Sequence, residues 1–378
     1  MKFSCKSKDL QKGISVVEKA ISLRTPLQIM ENIFLSTADN KLTLVGNNLE
    51  VGIQYEIPIE NLQESGRILI KAQTISNVIS KMEDQNVDVS VDLNQKVLIH
   101  SGGVDFDLHG QDINDYPVLP NIESGIKFTL SADQLSALIK HTFFSVCYDD
   151  AKPFLNGVFI KAVNQKLTFV ATDGFRMAMD ETICESIQND FEVIIPNKAI
   201  GELNKILQIL HYNDPVEVIV TDTLIKFSWN SFKMVSRLIQ GRFPDYKQVV
   251  LDESSIKNQY RVPRKTLVTA TERASIIANY ANQVVRIYFK QNEVIVKAKA
   301  LKTGEFREGI LISEPKHTGD LRISFNVKLL LDALKNIESD DILIEFNDEL
   351  CPCIFKPVSE ENYLYVIMPI RMTDFEGE

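Results

Sequence analysis

Disulfide, metal and membrane chemistry all lack their usual residues in this chain of 378 amino acids. It has five cysteines, Cys5, Cys147, Cys184, Cys351 and Cys353, an odd number and too few for a disulfide framework, so reduced thiols are expected. Cys351 and Cys353 flank one proline, but no C-x-x-C pair accompanies them and the five histidines (100, 109, 141, 211 and 317) are scattered, so no metal is expected. No stretch approaches the ~18 consecutive apolar residues of a membrane span. The amino terminus, MKFSCKSKDL, has no apolar signal-peptide stretch, and a cytoplasmic protein without a membrane partner is expected. Glycine (16) and proline (13) are too sparse for long linkers. The catalytic signatures G-x-x-x-x-G-K-[ST], G-x-S-x-G and H-E-x-x-H do not occur.

What the chain does have is an internal repeat, the feature that most constrains a fold. KFSCKSKDL from Lys2 matches KFTLSADQL from Lys127, and NIFLSTADNKLTLVG from Asn32 matches GVFIKAVNQKLTFVA from Gly157. ILIKAQTISNVISKM, ending at Met82, matches VIIPNKAIGELNKIL, ending at Leu207, and all three pairs share an offset of 125. A weaker third copy begins with QYRVPRKTL at Gln259 and includes RIYFKQNEVIV from Arg286 and RISFNVKLLLDALKNI, ending at Ile337. One offset held through separated blocks places domains at 1–125, 126–252 and 253–378. Each domain reads as strand, helix and a run of strands, twice over. Leu10, Ile14, Val17 and Ile21 form one apolar helical face, and alternating segments such as LTLVG and VDVSV are separated by Asn, Asp and Gly turn signals. The expected class is α+β, with two helices per domain packed on antiparallel sheets.

Six helical windows follow, at 5–22, 71–82, 131–146, 197–210, 263–279 and 326–337. They hold 14 Lys and Arg against 6 Asp and Glu, a charge of +8 in a chain whose formal net charge is −10. Cationic helices on an acidic protein either simply solvate their exposed faces or form a layer able to track a phosphate backbone.

With LNGVFI (155–160), VATDGFRMA (170–178), GRFPDY (241–246) and YVIMPIRM (365–372), the chain resembles the bacterial DNA polymerase III beta subunit family, the sliding clamps, over nearly its whole length. The resemblance implies three repeated clamp-type domains per chain and a closed ring of two head-to-tail subunits, with twelve helices lining a hole and sheets outside. It implies a non-catalytic processivity factor with no cofactor. Its partners would be duplex DNA, held without sequence preference, the polymerase III alpha subunit, the clamp loader, and other polymerases and repair proteins.

The same resemblance assigns a protein-binding pocket to Leu155, Thr172, Gly174, Phe175, Arg176, Met177, Pro244, Gln248, Val249, Val366, Met368, Pro369, Ile370 and Arg371. Met and aliphatic side chains suit such a groove because they adapt to varied ligands. It assigns DNA-facing positions to Arg24, Gln73, Asp149, Phe154 and Lys198, and a homodimer contact to Phe106 and Leu108 against the partner's Ile276 and Ile277. Gln248 stands where relatives often have Arg, and Phe175 where many have His. Gln73, Asp149 and Pro153 are less basic or less aromatic than usual, and TDFEGE (373–378) extends past the usual end. From the residues alone, TDG also reads as a hairpin turn and VIMPI as a core strand. The rival readings are a hydrolase using Asp149, Asp150 and Asp173, and a scaffold that never meets DNA.

Overall fold

The structure, a computed structural model, describes residues 1–22, 27–82, 86–210, 214–280, 282–312, 315–316, 318–358 and 362–371. The first repeat runs β1 (Lys2–Lys6), α1 (Ser7–Val17), β2 (Asn32–Ala38), β3 (Lys41–Asn47), β4 (Val51–Pro58), β5 (Asn61–Glu64), β6 (Gly66–Lys71), α2 (Ala72–Ile79), β7 (Asn86–Val91), β8 (Lys96–Ser101) and β9 (Val104–His109). The second runs β10 (Ile126–Leu130), α3 (Ala132–Phe143), β11 (Gly157–Val163), β12 (Lys166–Thr172), β13 (Arg176–Ile183), β14 (Phe191–Pro196), α4 (Asn197–Leu210), β15 (Val216–Val220), β16 (Leu224–Trp229) and β17 (Phe232–Arg237). The third runs β18 (Asn258–Pro263), α5 (Arg264–Ala278), β19 (Val284–Phe289), β20 (Glu293–Ala300), β21 (Gly304–Leu311), β22 (Leu321–Asn326), α6 (Val327–Asn336), β23 (Asp341–Phe346), β24 (Cys353–Pro357) and β25 (Tyr363–Ile367).

Local chemistry explains these elements. Asp39 and Asn40 (φ 50° and 56°) turn β2 into β3, and Asn164 and Gln165 (51° and 65°) turn β11 into β12, the left-handed pair that a two-residue hairpin requires. Leu10, Ile14 and Val17 bury the inner face of α1, while Ile21 lies beyond a short 3-10 turn at Glu18–Ala20 that ends the helix earlier than the apolar spacing predicts. Gly46 in β3 lets the end of α1 approach closely, since a Cβ there would lie 2.1 Å from the Val17 carbonyl oxygen. Asn326 caps α6 by accepting hydrogen bonds from the amides of Lys328 and Leu329 at 2.9 and 3.3 Å. The third repeat is sealed by Tyr260, Phe289 and Phe346, whose ring centroids lie 4.7–5.8 Å apart.

All the named strand pairs are antiparallel, and the sheets do not stop at the repeats. One eight-stranded sheet has the order β10-β15-β16-β17-β4-β3-β2-β6, and a second has β14-β11-β12-β13-β25-β24-β23-β18. The pairs β17–β4 and β13–β25 thus weld consecutive repeats together. A five-stranded sheet, β5-β1-β7-β8-β9, and a four-stranded one, β21-β20-β19-β22, remain with β9 and β21 at their edges. With these welds, the chain packs as two compact units. One comprises Met1–Leu135, Cys184–Asn189 and Lys198–Ile239; the other comprises Ser136–Ile183, Asp190–Asn197 and the chain from Gln240 onward.

The six α-helices among the described residues lie within the windows read from sequence, and all but α4, which fills 197–210, are shorter than their windows. They carry ten Lys and Arg against five Asp and Glu, a charge of +5 instead of +8. Lys6, Lys19, Lys71 and Lys81 fall outside them.

Candidate functional site

Four segments of the second compact unit converge on one groove of about 190 Å³. Leu155 is the last residue of a 3-10 turn at Pro153–Leu155; Thr172 and Gly174 to Met177 form the β12–β13 hairpin; Phe243 to Tyr246 and Val249 form a loop; Val366 and Met368 lie at the end of β25. The floor is apolar: Leu155, Met177, Val366 and Phe243 are all buried. Phe175 and Met368 stay 64% and 38% exposed, so the rim offers uncovered apolar surface to a ligand.

The hairpin wall is held by Asp173. Its carboxylate accepts hydrogen bonds from the Phe175 amide at 2.9 Å, the Arg176 amide at 3.0 Å and Arg176 Nε at 3.0 Å. Arg176 also donates to Asp332 at 2.5 Å and lies over the Phe144 ring, 5.8 Å from its centroid. Gly174 takes φ +92°, a conformation side chains disfavour. The Met368 amide donates to the Phe175 carbonyl at 2.9 Å, extending the β13–β25 pairing past its last strand residue to the groove. Below, the Tyr365 hydroxyl donates to the Leu329 carbonyl at 3.0 Å, and burial pushes its pKa well above the ordinary phenol value, so it remains a donor. Phe243 stacks on Phe159 with centroids 4.7 Å apart and anchors the loop.

Ten of the fourteen pocket residues named from sequence line this groove. Gln248, Pro369, Ile370 and Arg371 do not: Gln248 Nε2 donates to Asp245 at 3.2 Å, and the Ile370 amide donates to the Ser324 carbonyl at 2.8 Å. Sequence reasoning missed Phe243, Asp245 and Tyr246, although GRFPDY contained them. The hydrolase reading loses its acids. Asp173 is spent on the hairpin, and Asp149 is exposed with Oδ1 accepting from the Ala151 amide at 3.0 Å. Among the described residues, no three His, Cys, Asp or Glu group to hold a metal, and no helix is long and apolar enough to cross a membrane.

The other sequence-named positions are local surface features. Gln73 and Lys198 are exposed and are each the second residue of a helix, α2 and α4; Lys198 lies 3.8 Å from Glu50. Phe154 is 36% exposed in the 3-10 turn, and Arg24 lies outside the described residues. Phe106 and Leu108 are half-buried on one face of edge strand β9, opposite the buried Ile99 and Val97 of β8. Ile276 is 64% exposed on α5, and Ile277 packs partly against the core of the third repeat.

A thrice-repeated α+β chain whose second compact unit carries an apolar groove with an uncovered apolar rim has the features of a protein that binds others through short apolar segments. Comparison with known proteins makes the assignment specific. Models of the DNA polymerase III beta subunit match in three parts: the N-terminal domain at residues 1–120, the central domain at 129–245 and the C-terminal domain at 254–371. The beta sliding clamp of Synechocystis sp. is 31% identical over 99% of this chain and 100% of its own length, and that of Bacillus subtilis is 29% identical over 98% and 100%. The crystal structure of the DNA polymerase sliding clamp from Bacillus subtilis superposes with a TM-score of 0.92 at 28% identity, covering 99% of this chain and 100% of that one. The DNA polymerase III beta subunit of Pseudomonas aeruginosa gives 0.92 at 26%, covering 98% and 100%. The chain belongs to the bacterial DNA polymerase III beta subunit family, the beta sliding clamps. Its function is that of a DNA sliding clamp, a non-catalytic processivity factor.

Proposed function

We propose that two copies close head to tail into a ring around duplex DNA, and that the groove beside Met177 receives short apolar motifs. Those motifs would come from the polymerase III alpha subunit, the clamp loader, and other polymerases and repair proteins. In this reading the domains are 1–125, 126–252 and 253–378, and the protein works in the cytoplasm on the nucleoid.

The observation that carries the ring is an unmade joint. β17 of the second repeat pairs with β4 of the first, and β25 of the third pairs with β13 of the second. The equivalent pairing for the remaining repeat is β9 with β21, and both are sheet edges. Joining β9 to the β21 of another copy makes a contact between unlike surfaces; closing after two copies, it leaves no filament end. Strand register carries over from the internal joints. Phe232↔Tyr55 and Tyr363↔Asp180 correspond to Val104↔Glu308, which sets Phe106 opposite Phe306. Phe306 packs against the same core as Ile277, so Phe106 and Leu108 would extend an apolar face already begun there.

DNA contact rests on a second regularity. The second residues of the six helices are Lys8, Gln73, Asp133, Lys198, Lys265 and Lys328, all exposed. Four lysines in first turns oppose the helix dipole, each at ~0.3–1 kcal/mol, so helix stability does not explain them. Loose phosphate contact does, and Lys328 joins the positions named from sequence. A net charge of −10 keeps such contacts weak, so encirclement rather than adhesion would retain the ring.

At the groove, covering about 100 Å² of apolar ligand surface is worth ~2.5 kcal/mol per anchor, so one or two anchors supply ~2.5–5 kcal/mol of the ~8 kcal/mol that micromolar affinity requires, and the remaining contacts of the motif supply the rest when little must be ordered. Analytical ultracentrifugation and peptide titration test the two halves. The chain should sediment as a dimer at micromolar concentration, and Ile276→Ala with Ile277→Ala should favour the monomer. Met368→Ala should weaken a polymerase-tail peptide about tenfold, the loss of part of one anchor. A monomeric wild type, or unchanged peptide affinity, would reject the corresponding half.

A further inference from the structure

We propose that the acidic segment 372–378 straps across the outward face of the third repeat's four-stranded sheet, with Phe375 over Arg286 and Glu376 against Lys299. The inference concerns a single copy and does not depend on how copies join.

It rests on an arrangement that the chain makes twice elsewhere. In the first repeat the chain leaves β9 and runs beside the edge strand β6, where Gln111 and Leu69 exchange backbone hydrogen bonds of 2.9 and 3.1 Å. Five residues on, Tyr116 stacks on Phe34, the β2 residue paired with Leu69, with ring centroids 5.8 Å apart. The Tyr116 hydroxyl donates to the Val45 carbonyl at 3.3 Å, and the Asn47 side chain donates to the Pro117 carbonyl at 3.3 Å, so the segment has crossed from β6 to β3. In the second repeat Phe243 stacks on Phe159, which pairs with Ile194 and Val170 as Phe34 pairs with Leu69 and Val45.

The third repeat has the same register. Arg286 of β19 pairs with Ser324 of β22 and Lys297 of β20, so Arg286, Ser324, Lys297 and Lys299 stand where Phe34, Leu69, Val45 and Asn47 stand in the first repeat. The Ile370 amide donates to the Ser324 carbonyl at 2.8 Å, the bond that Gln111 gives to Leu69. Counting on from Ile370 as from Gln111, Phe375 takes the place of Tyr116 and Glu376 that of Pro117. Residues 372–378 lie outside the described residues. Ile370 stands two strand spacings, about 10 Å, from β19, and five extended residues span up to about 17 Å, so the Phe375 ring reaches Arg286 with slack.

The chemistry of the two surfaces matches. Where the first two repeats place Phe and Val beneath a crossing aromatic, the third has a cavity of about 510 Å³ lined by Arg286, Lys297, Lys299, Lys302 and Arg307, with Glu305 its one acid. Arg286 is largely buried, and Lys297 Nζ already lies over the Tyr288 ring, 4.5 Å from its centroid; Lys299, Lys302 and Arg307 are exposed. The segment brings one aromatic ring for the guanidinium and Asp374, Glu376 and Glu378 for the exposed cations. Strapped in this way, it holds Ile370 and the nearby Met368 wall of the groove, and it keeps Phe375 out of the groove itself.

Carbodiimide coupling of the full chain, read by mass spectrometry, tests the placement. Asp374 or Glu376 should join to Lys299 or Lys302, and a mixture of isotope-labelled and unlabelled protein should show the link within single copies. Links only between copies overturn the strap. A link only to Lys152, whose Nζ lies 5.8 Å from the centroid of the Phe175 ring, would put the segment in the groove instead, and no link to any lysine also overturns the proposal. Hydrogen exchange at the Ile370 amide reads the hold. Phe375→Ala and Lys299→Glu should each speed it about tenfold at low salt, and high salt should speed the wild type. Lys299→Glu combined with Glu376→Lys should restore wild-type exchange, which a general loss of stability would not allow. Wild-type exchange in both single variants, or acceleration without restoration, overturns the proposal.

Discussion

Replacing Asp173 tests how the groove is built without touching the surface that would meet a ligand. Asp173→Ala removes the acceptor of three hydrogen bonds, to the Phe175 and Arg176 amides and to Arg176 Nε. At about 1 kcal/mol each, the hairpin wall loses about 3 kcal/mol of local stability. Asp173→Asn keeps an oxygen for the two amides and loses mainly the charged bond, so about half the effect is expected. The Met368 amide reports on the wall because it donates to the Phe175 carbonyl. Its hydrogen exchange should accelerate roughly 100-fold in Asp173→Ala and about tenfold in Asp173→Asn, since each ~1.4 kcal/mol is a factor of ten in the opening equilibrium. Affinity for an apolar peptide should fall in the same order. Wild-type exchange at Met368 together with wild-type affinity in Asp173→Ala would refute the view that this carboxylate shapes the groove.

Three further outcomes follow from other residues. Gly174→Ala should weaken peptide binding and destabilise the hairpin by about 1 kcal/mol, because φ +92° strains any side chain although the nearest atom to the new Cβ is 3.7 Å away; exchange at Met368 would register it. Iodoacetamide at pH 8 should leave Cys5 and Cys353 unmodified in the native protein and label them after unfolding, as burial raises the Cys5 thiol to about 12 and Cys353 well above its ordinary value; mass spectrometry reads the sites. The hydrogen bond from Lys226 holds Glu217 below its ordinary pKa, so its contribution is present above the unfolded value of 4.5 and lost as pH falls through the folded one. Glu217→Gln should lower the thermal midpoint slightly at pH 7 and hardly at all at pH 3.

Local pattern made much of this architecture legible and left its joints illegible. The 125-residue offset located the four helices of the first two copies and the weaker third copy the remaining two, and Asn, Asp and Gly marked hairpins such as Asp39–Asn40, because these signals act within a few residues. The β17–β4 and β13–β25 pairs leave no such trace. Val235 and Met177 read as ordinary strand residues, and only the folded sheet reveals that each lies at a weld between repeats. Helix ends were overestimated where apolar spacing continues past a 3-10 turn, as at Ile21. In the groove, the hairpin and β25 residues were named through family resemblance, whereas Phe243 and Tyr246 were passed over inside a quoted string because aromatic residues in a loop carry no periodic signal. Lys328 could have been found by carrying the repeat offset from Gln73 and Lys198 one copy further.

The most direct test of an enclosing ring is retention on DNA as a function of topology. The protein, loaded by the proposed clamp-loader partner onto a nicked circular duplex, is passed through a gel-filtration column in salt high enough to remove simple phosphate contacts, before and after one restriction cut. The account predicts that it co-elutes with the circle and is lost from the cut, linear duplex, with no dependence on the sequence between. Equal loss from circular and linear DNA would contradict it.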